Sequence, residues 1–138
     1  MFKTSGGKYI APQLIENTMK QSRFIEQIMV IGEGEKMPAA LIQPNFEFLA
    51  EWAQRKEIVY DDWKDLCSQE RIINRFQKEI DFYNTKFGNW ERIKKFEITP
   101  ETWTIEDGHL TPTLKLKRRV IKTRYEDLYH QIYGDSKI

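Results

Sequence analysis

The sequence predicts a small α+β domain: a sheet of a few strands, an antiparallel hairpin among them, with helices packed around it. Three observations carry that reading. Two apolar, β-branched runs, Phe24–Ile31 and Met37–Gln43, flank the loop GEGEK as the strands of a hairpin do. Ile72, Ile73, Phe76, Ile80 and Tyr83 recur every three or four residues, the spacing of an amphipathic helix. A chain of 138 residues buries roughly 68–70 per cent of its unfolded surface, enough for one core and too little for two. Residues 1–138 are therefore read as one domain.

The first dozen residues read as a short extended piece, a turn at Ser5, Gly6 and Gly7, and a second extended piece at Tyr9 and Ile10. Pro12 suits the first turn of a helix, where its missing amide hydrogen has no partner to lose. Leu14, Ile15 and Met19 give a dry face to a helix over Pro12–Gln21. After the hairpin, Asn45 is a suitable cap, and Phe46, Leu49 and Ala53 carry a helix to about Lys56. A polar connector, Glu57–Lys64, contains Asp61 and Asp62, read as a helix cap and its neighbour. Ser68 is expected to cap the long helix and Gly88 to stop it. Lys94–Ile98 alternates like a half-buried strand ended by Pro100, and Thr102–Ile105 reads as a further short strand before the turn at Glu106, Asp107 and Gly108. A last helix over Arg118–Tyr133 puts Ile121, Leu128 and Ile132 on one face.

Composition narrows the function classes. The net charge of +1 gives no overall field toward nucleic acid or anionic membrane, so any anion binding must be local, and no nucleic-acid partner is expected. The single Cys67 cannot form an internal disulfide, and with only His109 and His130 no zinc framework can be built; no metal site is expected. Neither histidine has a serine or cysteine nucleophile recognisably arranged around it, which removes support for a hydrolytic triad. No apolar run approaches the roughly 20 residues needed to cross a bilayer, and the first residues lack a secretory-signal pattern. A reducing cytoplasm fits, with peripheral membrane contact left open.

Two segments stand out chemically. SGGK, at Ser5–Lys8, lets the backbone bend through positive φ and leaves it bare toward a ligand. It is not a phosphate loop of the Walker type, because Phe2 and Tyr9 occupy the positions that require glycine and serine or threonine. A tight turn and a ligand-contacting loop both fit it, whereas GEGEK reads as a plain hairpin turn. The second segment, LTPTLKLKRRVIKTR, is held extended around Pro112 and concentrates Lys115, Lys117, Arg118, Arg119, Lys122 and Arg124. It suits either a solvated basic face or a phosphate or carboxylate partner.

Taken together, the segments point further. MFKTSGGKYIAPQLIEN is similar to the segment just after the interdomain hinge of adenylate-forming enzymes, and LTPTLKLKRR resembles the segment that carries their catalytic lysine. ALIQPN and the helix behind it resemble the long-chain fatty-acid CoA ligase version. The resemblance spans nearly the whole chain; its ends are specific and its middle is generic.

The resemblance implies a mobile carboxy-terminal domain that closes over a large amino-terminal AMP-binding domain, absent from this sequence, which holds ATP, Mg2+ and the fatty acid. Fatty acid is then activated to an acyl-adenylate and passed to CoA. Carried over by position, Lys115 is the adenylation lysine, with Lys117 two residues on and pointing the same way in an extended chain. The commoner family pattern has glycine directly before that lysine, where this chain has Leu114. Gly6, Gly7, Lys8 and Tyr9 match the loop offered to the CoA channel in the second half-reaction, and Lys117, Arg118 and Arg119 are candidate phosphate contacts. Without its partner domain, the chain is expected to make no acyl-adenylate. A free-standing anion- or protein-binding module without catalysis is the alternative.

Overall fold

The computed structural model describes residues 1–134. A two-stranded hairpin, β1 (Phe2–Lys3) and β2 (Tyr9–Ile10), leads into α1 (Pro12–Met19). The main sheet has the order β3 (Ile25–Ile31), β4 (Ala39–Pro44), β5 (Lys95–Ile98). β3 and β4 are antiparallel, with Ile28 opposite Ile42 and Val30 opposite Ala40, while β5 runs parallel to β4. The crossover between β4 and β5 contains α2 (Phe46–Arg55), α3 (Trp63–Ser68) and α4 (Glu70–Asn84). The chain then closes with α5 (Arg118–Arg124) and α6 (Glu126–Tyr133).

Side chains alternate across a strand, so the two runs of β3 and β4 feed two cores. Ile28, Val30, Ala40 and Ile42 meet Ile15 and Met19 of α1, Leu49 of α2 and Phe76 and Ile80 of α4. Met29, Ile31, Ala39 and Leu41 meet Trp103, Ile121, Tyr125, Tyr129 and Ile132 on the other face. Both strand faces are dry, which is why these runs read as nearly continuous apolar segments. Phe24 organises the first core, its ring lying edge-on to Phe48 and Phe76. Among the described residues no helix is long and apolar enough to cross a membrane.

The hairpin, the cap at Asn45 and a strand ending at Ile98 follow the sequence expectation; the Asn45 side chain accepts the Phe48 amide at 3.1 Å. Four expectations change. Ser68 does not cap the long helix: it ends α3, where its hydroxyl donates to the Asp65 carbonyl, and α4 starts after an extended Gln69. The extra helix α3 forms because Asp62 takes the Asp65 amide at 2.8 Å. The long helix stops at Asn84 rather than Gly88, since the buried Asn84 amide both donates to and accepts from the Ile93 backbone at 2.9 Å.

Thr102–Ile105 forms no strand. Side chains satisfy its backbone instead: Gln43 accepts from the Trp103 amide, and His109 accepts from the Thr104 amide. The terminal helix is two helices meeting at Tyr125, where φ is −107° and ψ 33°.

Candidate functional site

The segment around Pro112 is a closed turn and not an extended run. The Leu114 amide donates to the Thr111 carbonyl, the Thr111 amide donates to the Lys115 carbonyl, both at 2.8 Å, and Leu110 bridges Leu116 in antiparallel fashion. Pro112 supplies the fixed φ that suits the second position of such a turn. Leu114 then takes φ +65°, a left-handed conformation that a side chain resists. That requirement explains why glycine suits the position before the lysine.

The glycine turn has the same construction. The Gly7 amide donates to the Thr4 carbonyl and the Thr4 amide to the Lys8 carbonyl, both at 3.0 Å, with Gly7 at φ +82°. Each is a three-residue loop closed by a left-handed residue. Each begins at a threonine and delivers a lysine immediately after the left-handed position: Thr4 to Lys8, and Thr111 to Lys115. Gly7 is required by its φ, but Gly6 has ordinary backbone and open space around it. Nothing among the described residues demands glycine there.

Both turns are anchored from behind. The Ser5 amide donates to the Glu35 carbonyl at 2.8 Å and the Gly34 amide to the Lys3 carbonyl at 3.0 Å, so the GEGEK loop is a seat for the glycine turn and more than a connection. The buried Glu35 carboxylate in turn accepts the Tyr129 hydroxyl. On the outer side, Lys8 Nζ lies 5.8 Å from the half-exposed Trp90 ring, and Lys3 Nζ lies 5.5 Å from the ring of the exposed Tyr9.

The lysine turn is held by a buried aromatic cluster and an ion pair. The His109, Trp103 and Tyr125 rings form a triangle of near-parallel rings, with centroids 6.0–6.1 Å apart in every pair. Leu116 packs against the second core, while Lys115 and Lys117 on either side of it are exposed. Lys115 lines a shallow polar groove with Gln13, Glu16, Asn17 and Lys20 of α1. Arg118 does not reach outward as a phosphate contact: its two terminal nitrogens bind the Glu16 carboxylate at 2.8 and 2.7 Å. Arg119, one residue on, is exposed and lines a cleft with Phe2, Glu33, Lys122 and Tyr129. Glu16, Glu35, His109 and Tyr129 therefore support the site, and no local sequence pattern marked any of them for that role. Among the described residues no group of three or more histidine, cysteine or carboxylate side chains could hold a metal ion.

The family model described as the AMP-binding enzyme C-terminal domain matches residues 2–137. The chain belongs to that family. It is 30% identical over 138 residues to the peroxisomal long chain acyl-CoA synthetase 7 of Arabidopsis thaliana, covering 98% of this chain and 20% of that protein. It is 33% identical over 137 residues to fatty acyl-CoA synthetase B of Dictyostelium discoideum, again covering 97% of this chain and 20% of the relative. This C-terminal domain thus spans about a fifth of the length of these relatives. Its fold is shared with the adenylation domain of a carboxylate reductase from Mycobacterium chelonae: TM-score 0.76, 21% identity, 97% of this chain and 19% of that one.

Proposed function

We propose that this domain serves a long-chain fatty-acid CoA ligase, supplying Lys115 to acyl-adenylate formation and the Thr4–Lys8 turn to thioester formation. In the first half-reaction a fatty-acid carboxylate oxygen bonds to the α-phosphorus of ATP and pyrophosphate leaves. In the second the CoA thiol, losing its proton, adds to the acyl carbonyl and AMP leaves. Lys115 stabilises the negative charge that develops between the attacking carboxylate and the phosphate in the first step. The observation that carries this assignment is its presentation: an exposed cation on a closed, doubly anchored turn, beside a polar groove. Lys117 is equally exposed but does not line that groove, which favours Lys115.

Gly6 offers a bare backbone with open space, which suits the passage of a pantetheine chain, while Lys8 and Tyr9 flank it. Lys117 and Arg119 remain as phosphate contacts. In this reading ATP and Mg2+ are held mainly by the large amino-terminal partner domain. A reducing cytoplasm suits the lone buried thiol of Cys67, and peripheral membrane contact would come through the full enzyme.

The test uses the full-length protein. Lys115→Ala should lower fatty-acid-dependent ATP–pyrophosphate exchange by roughly 10²-fold or more, while thioester formation from supplied acyl-adenylate survives better. Equal loss in both assays, or no exchange by the native enzyme, would overturn the reading.

A further inference from the structure

His109 is 2% exposed, yet its backbone and its ring both bond to the segments on which the lysine turn stands. Its carbonyl accepts the Lys117 amide at 2.8 Å, the bond just beyond the Leu110 to Leu116 bridge. Its Nδ1 accepts the Thr104 amide at 3.1 Å, so in the neutral ring the proton sits on Nε2 and faces the Tyr125 hydroxyl at 3.2 Å. That hydroxyl donates to Glu101 at 2.9 Å. The ring is thereby fixed by hydrogen bonds at both ends, within a triangular cluster with Trp103 and Tyr125. Arg124 approaches from α5, with Nη1 3.1 Å from Nε2.

We propose that His109 is a positioning residue for Lys115: its hydrogen bonds, within the cluster of Trp103, His109 and Tyr125, set where the lysine turn stands on the sheet, and so where the lysine meets the reacting oxygens. The inference rests on the adenylation role given to Lys115. Displacing a catalytic group by about 1 Å can cost as much as 10²-fold in rate. Besides this base, the turn has its own internal bonds, the Leu110–Leu116 bridge and, just beyond it, the Arg118–Glu16 ion pair. A phenyl ring at 109 would keep the ring contacts of the cluster and lose both side-chain bonds, and Tyr125→Phe would cut the far link while leaving the imidazole.

Two measurements separate the inference from the reading beneath it. Amide hydrogen exchange on the 138-residue chain should show Thr104 and Lys117 losing protection by about tenfold in His109→Phe, with β3 and β4 unchanged. In the full-length enzyme, His109→Phe and Tyr125→Phe should each lower ATP–pyrophosphate exchange by about tenfold and leave thioester formation from acyl-adenylate within about twofold. Unchanged Thr104 and Lys117 protection, or parallel loss in both half-reactions, overturns the proposal. A native enzyme without exchange activity sinks the ligase reading instead, and the exchange-protection result then decides the placement of the turn on its own.

Discussion

Arg118 grips Glu16 with both terminal nitrogens, joining residues 102 positions apart in the chain. The same carboxylate accepts the Val30 amide at 2.7 Å on the open edge of β3. One side chain of α1 thus ties the helix after the glycine turn, the sheet edge and the helix after the lysine turn. Two parallel bonds to a planar fork fix direction as well as distance.

Removing Glu16 should therefore cost more than an ordinary surface ion pair. Glu16→Ala leaves a buried amide and a half-buried guanidinium unpartnered, and we expect a loss of about 2–3 kcal/mol, reduced from the fully buried range because Arg118 is partly exposed to solvent. Glu16→Gln keeps an acceptor for Val30 and should lose about 1–2 kcal/mol. Urea denaturation of the two variants checks the order; equal stabilities would mean that the charge contributes nothing.

Leu114 is 62% exposed at φ +65°, so its side chain brings strain and little burial. Leu114→Gly relieves roughly 1 kcal/mol of strain and adds a similar amount of unfolded-chain entropy, leaving stability within about 0.5 kcal/mol of native. Leu114→Val puts a β-branched residue in the same conformation and should cost about 1 kcal/mol or more. A Val variant as stable as the native chain would argue against the closed turn.

The paired glycines should separate in the same kind of experiment. Gly7→Ala is strained at φ +82° and should lose about 1 kcal/mol, whereas Gly6→Ala meets no atom and should stay within about 0.5 kcal/mol. In the full-length enzyme a bulky residue at position 6 should slow thioester formation and spare adenylation. Unchanged thioester formation would remove the CoA channel from that loop.

Stability should also depend on pH through His109. Burial and the nearby Arg124 hold its pKa below the ordinary 6.5, against weaker opposing pulls from Asp107 and Glu101. The unfolded chain then binds the proton first, so this contribution is complete above 6.5 and is lost as pH falls from there through the folded-state value. Comparing urea midpoints at about pH 7.5 and about pH 5.5, the native chain should lose more than His109→Phe does. Identical losses would show that the imidazole binds its proton equally well in the folded and unfolded chains, and would count against its buried hydrogen-bonded role.

What the sequence disclosed, and what it hid, divides along physical lines. Hydrophobic period reports faces, so the β3–β4 hairpin and the dry stripe of α4 were legible from Ile28, Ile42, Phe76 and Ile80. Helix ends were not, because Asn84 stops α4 through a partner nine residues away and Ser68 lost its capping role to Asp62. Lys115 and Gly7 carried local signals: a cation cluster and a glycine pair. The shared geometry of their turns lay concealed, since a leucine at position 114 gives no hint of positive φ. Glu16, Glu35 and His109 act across the fold on distant residues, and no spacing rule links them to Arg118, Tyr129 or Tyr125.

The two-sided burial of the central sheet has a mechanical consequence. Helices α1, α2 and α4 cover one face, and α5, α6 and Trp103 cover the other. A neighbouring domain consequently meets mainly turns, helix backs and loop side chains. If the domain pivots against such a neighbour as the proposed two-step role requires, its interior stays roofed, and trading one lysine-bearing turn for the other would carry little hydrophobic penalty.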